Sequence, residues 1–231
     1  MNRYTKIFSD TRKVFQLFIL CIILFQASPT GSEADRDVFF GEIDKAGVYV
    51  IYSHGRILEG NSVQPVHPKW GVYDFPAITD ALVKETDWHL IAEHRDANTD
   101  INQYSDHLVT LVMKLLEGGV KAGSINLIGF SKGGIITSLA STKLADTGIN
   151  TILLASCWGK SEKLPELHIH GKLLSIYEVS DSAGTCEYLT NKDNSDFTEI
   201  SISTGKEHGA FYKPLEEWVV PVKKWIKDQS L

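Results

Sequence analysis

Most of the candidate strands in this chain are continuous apolar runs rather than alternating ones, and that constrains the fold more than any other feature. "GVYVIYS" (47–53), "WHLIAEH" (88–94), "SINLIGF" (124–130), "NTILLASC" (150–157), "GKLLSIYEV" (171–179) and "DFTEISIS" (196–203) read as strands. A strand that is apolar on both faces must be covered on both, and a parallel sheet meets that demand. The intervening segments carry helical spacing. In "FPAITDALVKE" (75–85), Ile78, Ala81 and Leu82 share one face, and 101–119 is a long amphipathic stretch closed by paired glycines. Residues 133–145 and 215–228 read as further helices, the last interrupted by Pro221. This βαβ rhythm predicts an α/β fold, a doubly wound, mostly parallel sheet with helices on both faces. Ligands in such sheets sit beyond the carboxyl ends of the strands, so residues just after each strand are the candidates for chemistry.

The amino terminus does not fit that rhythm. A basic stretch with Arg3, Lys6, Arg12 and Lys13 precedes the uncharged run "VFQLFILCIILF", and small polar residues follow, with Ser32-x-Ala34 as a cleavage site. Those zones describe a signal peptide over residues 1–34, leaving one domain over 35–231. The alternative is an uncleaved membrane anchor, against which stands the shortness of the run beside the roughly 20 residues of a membrane span. The expectation is an exported protein, periplasmic in a Gram-negative bacterium and otherwise secreted, with no stable membrane span after cleavage. A net charge of −6 and no basic stripe argue against nucleic acid as a partner. Past the signal peptide two cysteines remain, Cys157 and Cys186. In an oxidising compartment they are a candidate disulfide that would tether the segment after residue 179, two buried thiols being the alternative.

"GFSKG" (129–133) matches G-x-S-x-G. The pattern is short enough to arise by chance in about one chain in ten of this length, so context decides its weight. Ser131 directly follows a strand and precedes a helix, where a nucleophile turn needs small neighbours and where helix amides meet developing negative charge. The plainer reading is a serine that caps the helix. A serine hydroxyl needs a base, and the base needs an orienting acid. Asp181 lies two residues past an apolar run, with Glu178 as a rival inside the strand; a turn-forming role is the alternative for Asp181. His208 lies between the final strand and the final helix, C-terminal to both serine and acid, and is otherwise a surface-loop histidine.

These three elements resemble the α/β-hydrolase family: "GFSKG" its nucleophile elbow, "SDSAG" its acid turn and "KEHGAFY" its histidine loop. The resemblance spans about residues 40 to 228. It implies a sheet of about 7–8 strands, a reduced N-terminal hairpin and no large cap domain. It also implies a small, exported serine hydrolase that needs no cofactor and cleaves a carboxylic ester or thioester of a small-molecule acyl substrate through an acyl-enzyme on Ser131, Asp181 and His208, with peptide or lactone cleavage, or binding without catalysis, as alternatives. By the same resemblance "YSHGRILEG" supplies one oxyanion donor. The donors would be the backbone amides of Arg56 and Lys132, with Gly55 and Ile57 as rivals for the first; His54 is a candidate to line the substrate pocket or else a structural hydrogen-bonding residue. In the aperiodic connection 55–73, Trp70, Tyr73 and His67 are candidates to line a substrate pocket, with a simple structural wrap as the alternative. Arg95 is a candidate for an anionic substrate group, or else an ion-pair partner of Glu93 or Asp96. "HIH" (168–170) places two imidazoles on one strand face, but no third ligand is signalled, so no metal site is expected.

Overall fold

The structure, a computed structural model, describes residues 42–158, 166–189 and 196–229. The segment read as a signal peptide and most of "RDVFFGEI" (36–43) lie outside the described residues. In chain order the elements are β1 (Tyr49–Ser53), β2 (Val66–His67), β3 (Gly71–Val72), α1 (Phe75–Val83), β4 (His89–Ala92) and α2 (Ile101–Glu117). There follow β5 (Ile125–Phe130), α3 (Lys132–Lys143), β6 (Asn150–Leu154), β7 (Lys172–Glu178), β8 (Phe197–Ile202) and α4 (Glu216–Gln229).

Six strands lie side by side in the order β4-β1-β5-β6-β7-β8, and every pairing among them is parallel. The main sheet among the described residues therefore has six strands, not seven or eight. The other two, β2 and β3, pair antiparallel with each other only. At two residues apiece they leave no periodicity in the sequence, so the 55–73 connection hid them. Helices α1 and α4 pack together on one face, against β4 and β7, while α2 and α3 pack on the other. Both faces of the inner strands are thus dry: Val50, Ile51 and Tyr52 are successive residues, each at most 2% exposed. Each such side chain contributes roughly 1.5–3 kcal/mol on leaving water.

Side-chain caps set two of the helix starts. Asp74 accepts from the Ala77 amide and Asp100 from the amides of Asn102 and Gln103, satisfying donors that have no intrahelical partner. Pro221 does not interrupt the last helix; α4 runs through it. The carbonyl it deprives of a partner belongs to exposed Glu217, where water can serve instead.

The chain moves from β1 outward to β4, then returns past β1 to β5, so the winding direction reverses between β1 and β5. Ser53 stands level with Gly129, and Phe130 with Leu154, so the segments after β1, β5 and β6 emerge together at one edge. Glycines bring them close. A Cβ on Gly133 would lie 2.0 Å from the Ser53 carbonyl oxygen, and one on Gly134 1.8 Å from Ser156 Oγ. A Cβ on Gly129 would lie 2.5 Å from the Gly134 Cα. Cys157, just past β6, is joined to Cys186, beyond β7, with Cα atoms 5.2 Å apart.

Gly133→Ala should destabilise the fold by on the order of 3 kcal/mol, because backbone on both sides blocks relaxation. Gly123→Ala, whose Cβ would meet nothing nearer than 3.6 Å, should change stability by no more than about 0.5 kcal/mol. Urea denaturation of the two variants provides the comparison. Replacing both cysteines, 29 residues apart, with serine should cost about 3–4 kcal/mol by the loop-entropy account, read as a lowered urea midpoint.

Candidate active site

Ser131 occupies the single-residue turn between β5 and α3, at φ 55° and ψ −123°. That left-handed conformation is strained for a residue with a side chain, and the surroundings hold it in place. Its own amide donates to the Leu154 carbonyl at 3.1 Å. Its hydroxyl makes no helix-capping bond. Instead Oγ lies 2.9 Å from His208 Nε2. The plainer reading of this serine as a helix cap is thereby excluded.

His208 sits in the short 3-10 turn Glu207–Phe211 and is 8% exposed. Its Nδ1 lies 2.7 Å from Asp181 Oδ2. An ionised carboxylate only accepts, so Nδ1 carries the hydrogen and Nε2 is left to accept from the Ser131 hydroxyl. The other Asp181 oxygen accepts from the Ala183 amide at 3.1 Å, which makes Asp181 both an orienting acid and a turn residue. The three side chains therefore meet, from turns that follow β5, β7 and β8. A hydroxyl bonded to an imidazole that is bonded to a carboxylate can give up its proton to a base already held in the right tautomer.

Next to this array, the amides of Arg56 and Lys132 are each the first of a helical turn and so have no intrahelical acceptor. Arg56 borders the cleft over Ser131, and Lys132 directly follows the serine. The arrangement can receive negative charge at the α3 N-terminus.

Two residues that the sequence offered as pocket-lining candidates, His54 and Arg95, lie beneath the site instead. His54 is 0% exposed and Arg95 3%. The Arg95 amide donates to His54 Nε2 at 3.0 Å, and His54 Nδ1 bonds the Gly55 carbonyl at 2.8 Å. Burial first, then the Arg95 guanidinium, holds the His54 pKa well below its ordinary value, so the ring is a neutral strut. Arg95 pairs with Glu59 at 3.2 Å, donates to Ser53 Oγ at 3.0 Å and also to the His54 carbonyl. Its partner is thus neither a substrate anion nor either of the acids beside it in sequence. The second Glu59 oxygen holds Lys132 Nζ at 2.7 Å. Tyr73 is another departure: it is wholly buried, with its hydroxyl 2.7 Å from that of Tyr52.

The cleft over Ser131 measures about 500 Å³. Trp70, His67, Trp158, Phe130 and Tyr212 give it an aromatic wall. Trp70 stacks on His67 at 4.2 Å between centroids and tilts over His208 at 5.1 Å. An ion pair between Lys69 and Glu207 clips the β2–β3 hairpin to the histidine turn. Among the described residues, no group of three or more His, Cys, Asp or Glu side chains is placed to hold a metal ion, and no helix is long and apolar enough to cross a membrane.

Sequence reasoning missed Glu59, Gly134 and Trp158. A second glycine after "GFSKG" was the available signal for Gly134. Nothing local marks Glu59, whose partners are 36 and 73 residues away.

Comparison with known proteins adds the family. Residues 86–226 match the family described as phospholipase/carboxylesterase. No curated protein sequence matches the chain significantly. Among solved structures it is similar to an esterase/lipase from an uncultured bacterium, 13% identical, with a TM-score of 0.59 and coverage of 80% of this chain and 78% of that one. It is also similar to an arylesterase, 13% identical, with a TM-score of 0.57 over 82% and 78% of the two chains. SOBER1 from Arabidopsis thaliana, 12% identical, aligns at 0.52 over 79% and 98%. At these identities the likeness is one of fold, while the family match spans more than half of the chain. The strained serine turn at the carboxyl edge of a parallel sheet agrees with that match, and the chain belongs to the phospholipase/carboxylesterase family of α/β-hydrolases.

Proposed function

We infer that this hydrolase is a serine enzyme that cleaves a carboxylic ester or thioester through an acyl-enzyme. One observation carries the reading: the Ser131 hydroxyl is turned away from capping its helix and bonded to an imidazole that Asp181 orients. Ser131 Oγ attacks the acyl carbon while His208 Nε2 takes its proton, and the carbonyl oxygen becomes an oxyanion facing the Arg56 and Lys132 amides. Collapse of that intermediate breaks the bond to the leaving group, which receives the proton from His208. Water, deprotonated in turn by His208, then releases the acid and restores the serine. Asp181 stabilises the imidazolium in both halves. Each well-placed oxyanion donor is worth about 10²–10³ in rate. No step calls for a cofactor, and the substrate is a small acyl compound that fits the aromatic cleft.

Export is part of the same proposal. The charged, apolar and small-residue zones of residues 1–34 support it, as does the Cys157–Cys186 bridge, a feature of oxidising compartments.

Wild-type protein should label with a serine-directed fluorophosphonate, and Ser131→Ala should neither label nor turn over, losing on the order of 10⁴–10⁶ in kcat. A folded wild type that fails to label would sink the serine mechanism. Asp181→Asn should keep the fold and lose about 10⁴ in kcat, because an amide favours the wrong imidazole tautomer.

A further inference from the structure

Glu178 is the last residue of β7 and is wholly buried. Among the described residues it has no cationic partner. Its side chain is instead saturated by donors from two segments. Oε2 accepts from the Ser180 amide at 2.7 Å and from the Ser180 hydroxyl. Oε1 accepts from the amides of Thr204 at 2.9 Å and Gly205 at 3.0 Å. Ser180 adjoins Asp181, while Thr204 and Gly205 open the segment that leads to His208.

The position gives those bonds their meaning. The β7–β8 ladder ends at the Glu178–Ile202 pair, followed by one last bond from the Val179 amide to the Ile202 carbonyl. Beyond it the two chains diverge into the turns that carry the acid and the base. The Glu178 carboxylate continues the cross-link past the end of the ladder, with one oxygen for each segment. A buried carboxylate without a countercharge is costly unless hydrogen bonds saturate it. Burial pushes the Glu178 pKa up, but the four donors together outweigh it and hold the carboxyl below its ordinary value. No neutral side chain presents two acceptor oxygens in this way, since a glutamine would turn its NH2 toward one pair of donors.

We propose that Glu178 is a positioning residue whose carboxylate clamps the Asp181 turn to the His208 segment and so maintains the Asp181–His208 hydrogen bond. Its kinetic consequences rest on the serine-hydrolase reading given above. The clamp touches neither substrate nor reacting atoms, so its loss should appear in kcat and not in KM.

Glu178→Gln and Ser180→Ala in the full chain test this. Glu178→Gln should lower kcat by about tenfold or more through misplacement of the base, with KM within about twofold of wild type. Ser180→Ala removes one donor only and should lose about two- to fivefold in kcat. A readout independent of turnover is the downfield proton NMR resonance of His208 Nδ1–H, assigned by its absence in His208→Ala. It should be present in wild type, lost or moved upfield in Glu178→Gln, and moved less in Ser180→Ala. If Glu178→Gln does not fold, Ser180→Ala decides. An unmoved resonance in every variant that folds overturns the clamp, even where activity falls. Failure of the wild type to label with fluorophosphonate strikes the serine mechanism instead, and the NMR comparison still judges the clamp.

Discussion

At the carboxyl edge of the sheet, the first turn of α3 lies directly on the end of β1, with Gly133 so close to the Ser53 carbonyl that no side chain fits between them. That contact lets α3 begin immediately after β5, with one residue to reverse direction. The residue is Ser131, and its positive φ follows from the tightness of the turn. The same approach brings the Lys132 amide and the segment after β1 to one place, so a single backbone contact sets the serine and its neighbouring donors together.

Charge fastens the arrangement from below. Glu59 holds Arg95 with one oxygen and Lys132 with the other, while Arg95 reaches the Ser53 side chain and the His54 carbonyl. Buried ion pairs often add little net stability, because desolvation offsets their attraction. What this one supplies is a fixed relation between the segment after β1 and the residue after Ser131. Glu178 plays the corresponding part on the far side of the site, with hydrogen bonds in place of counterions. Two buried carboxylates thus brace the two sides of one cleft.

The inner strands of the sheet were legible because parallel strands covered on both sides need apolar residues on both faces, and a continuous run such as 47–53 has few other uses. The fold class followed from their alternation with helical segments. Ser131, Asp181 and His208 were legible as strand-end residues in a known order. The β2–β3 hairpin was not, since two-residue strands leave no pattern. Arg95 was misplaced for a related reason. A charged residue after a strand looks available to a ligand, and only burial against Glu59, 36 positions back, removes it from solvent.

The amino-acid sequence by itself determined the class of fold, the edge of the sheet where chemistry belongs and the short turn that carries Ser131, because periodicity and glycine spacing are local properties. Tertiary structure alone decided that the Ser131 hydroxyl serves His208 instead of capping its helix, and which carboxylate faces that imidazole. Asp181 and Glu178 are three residues apart and chemically alike. One points to the base and the other into the backbone of two turns, a distinction made by strand register and by donors some 27 residues away.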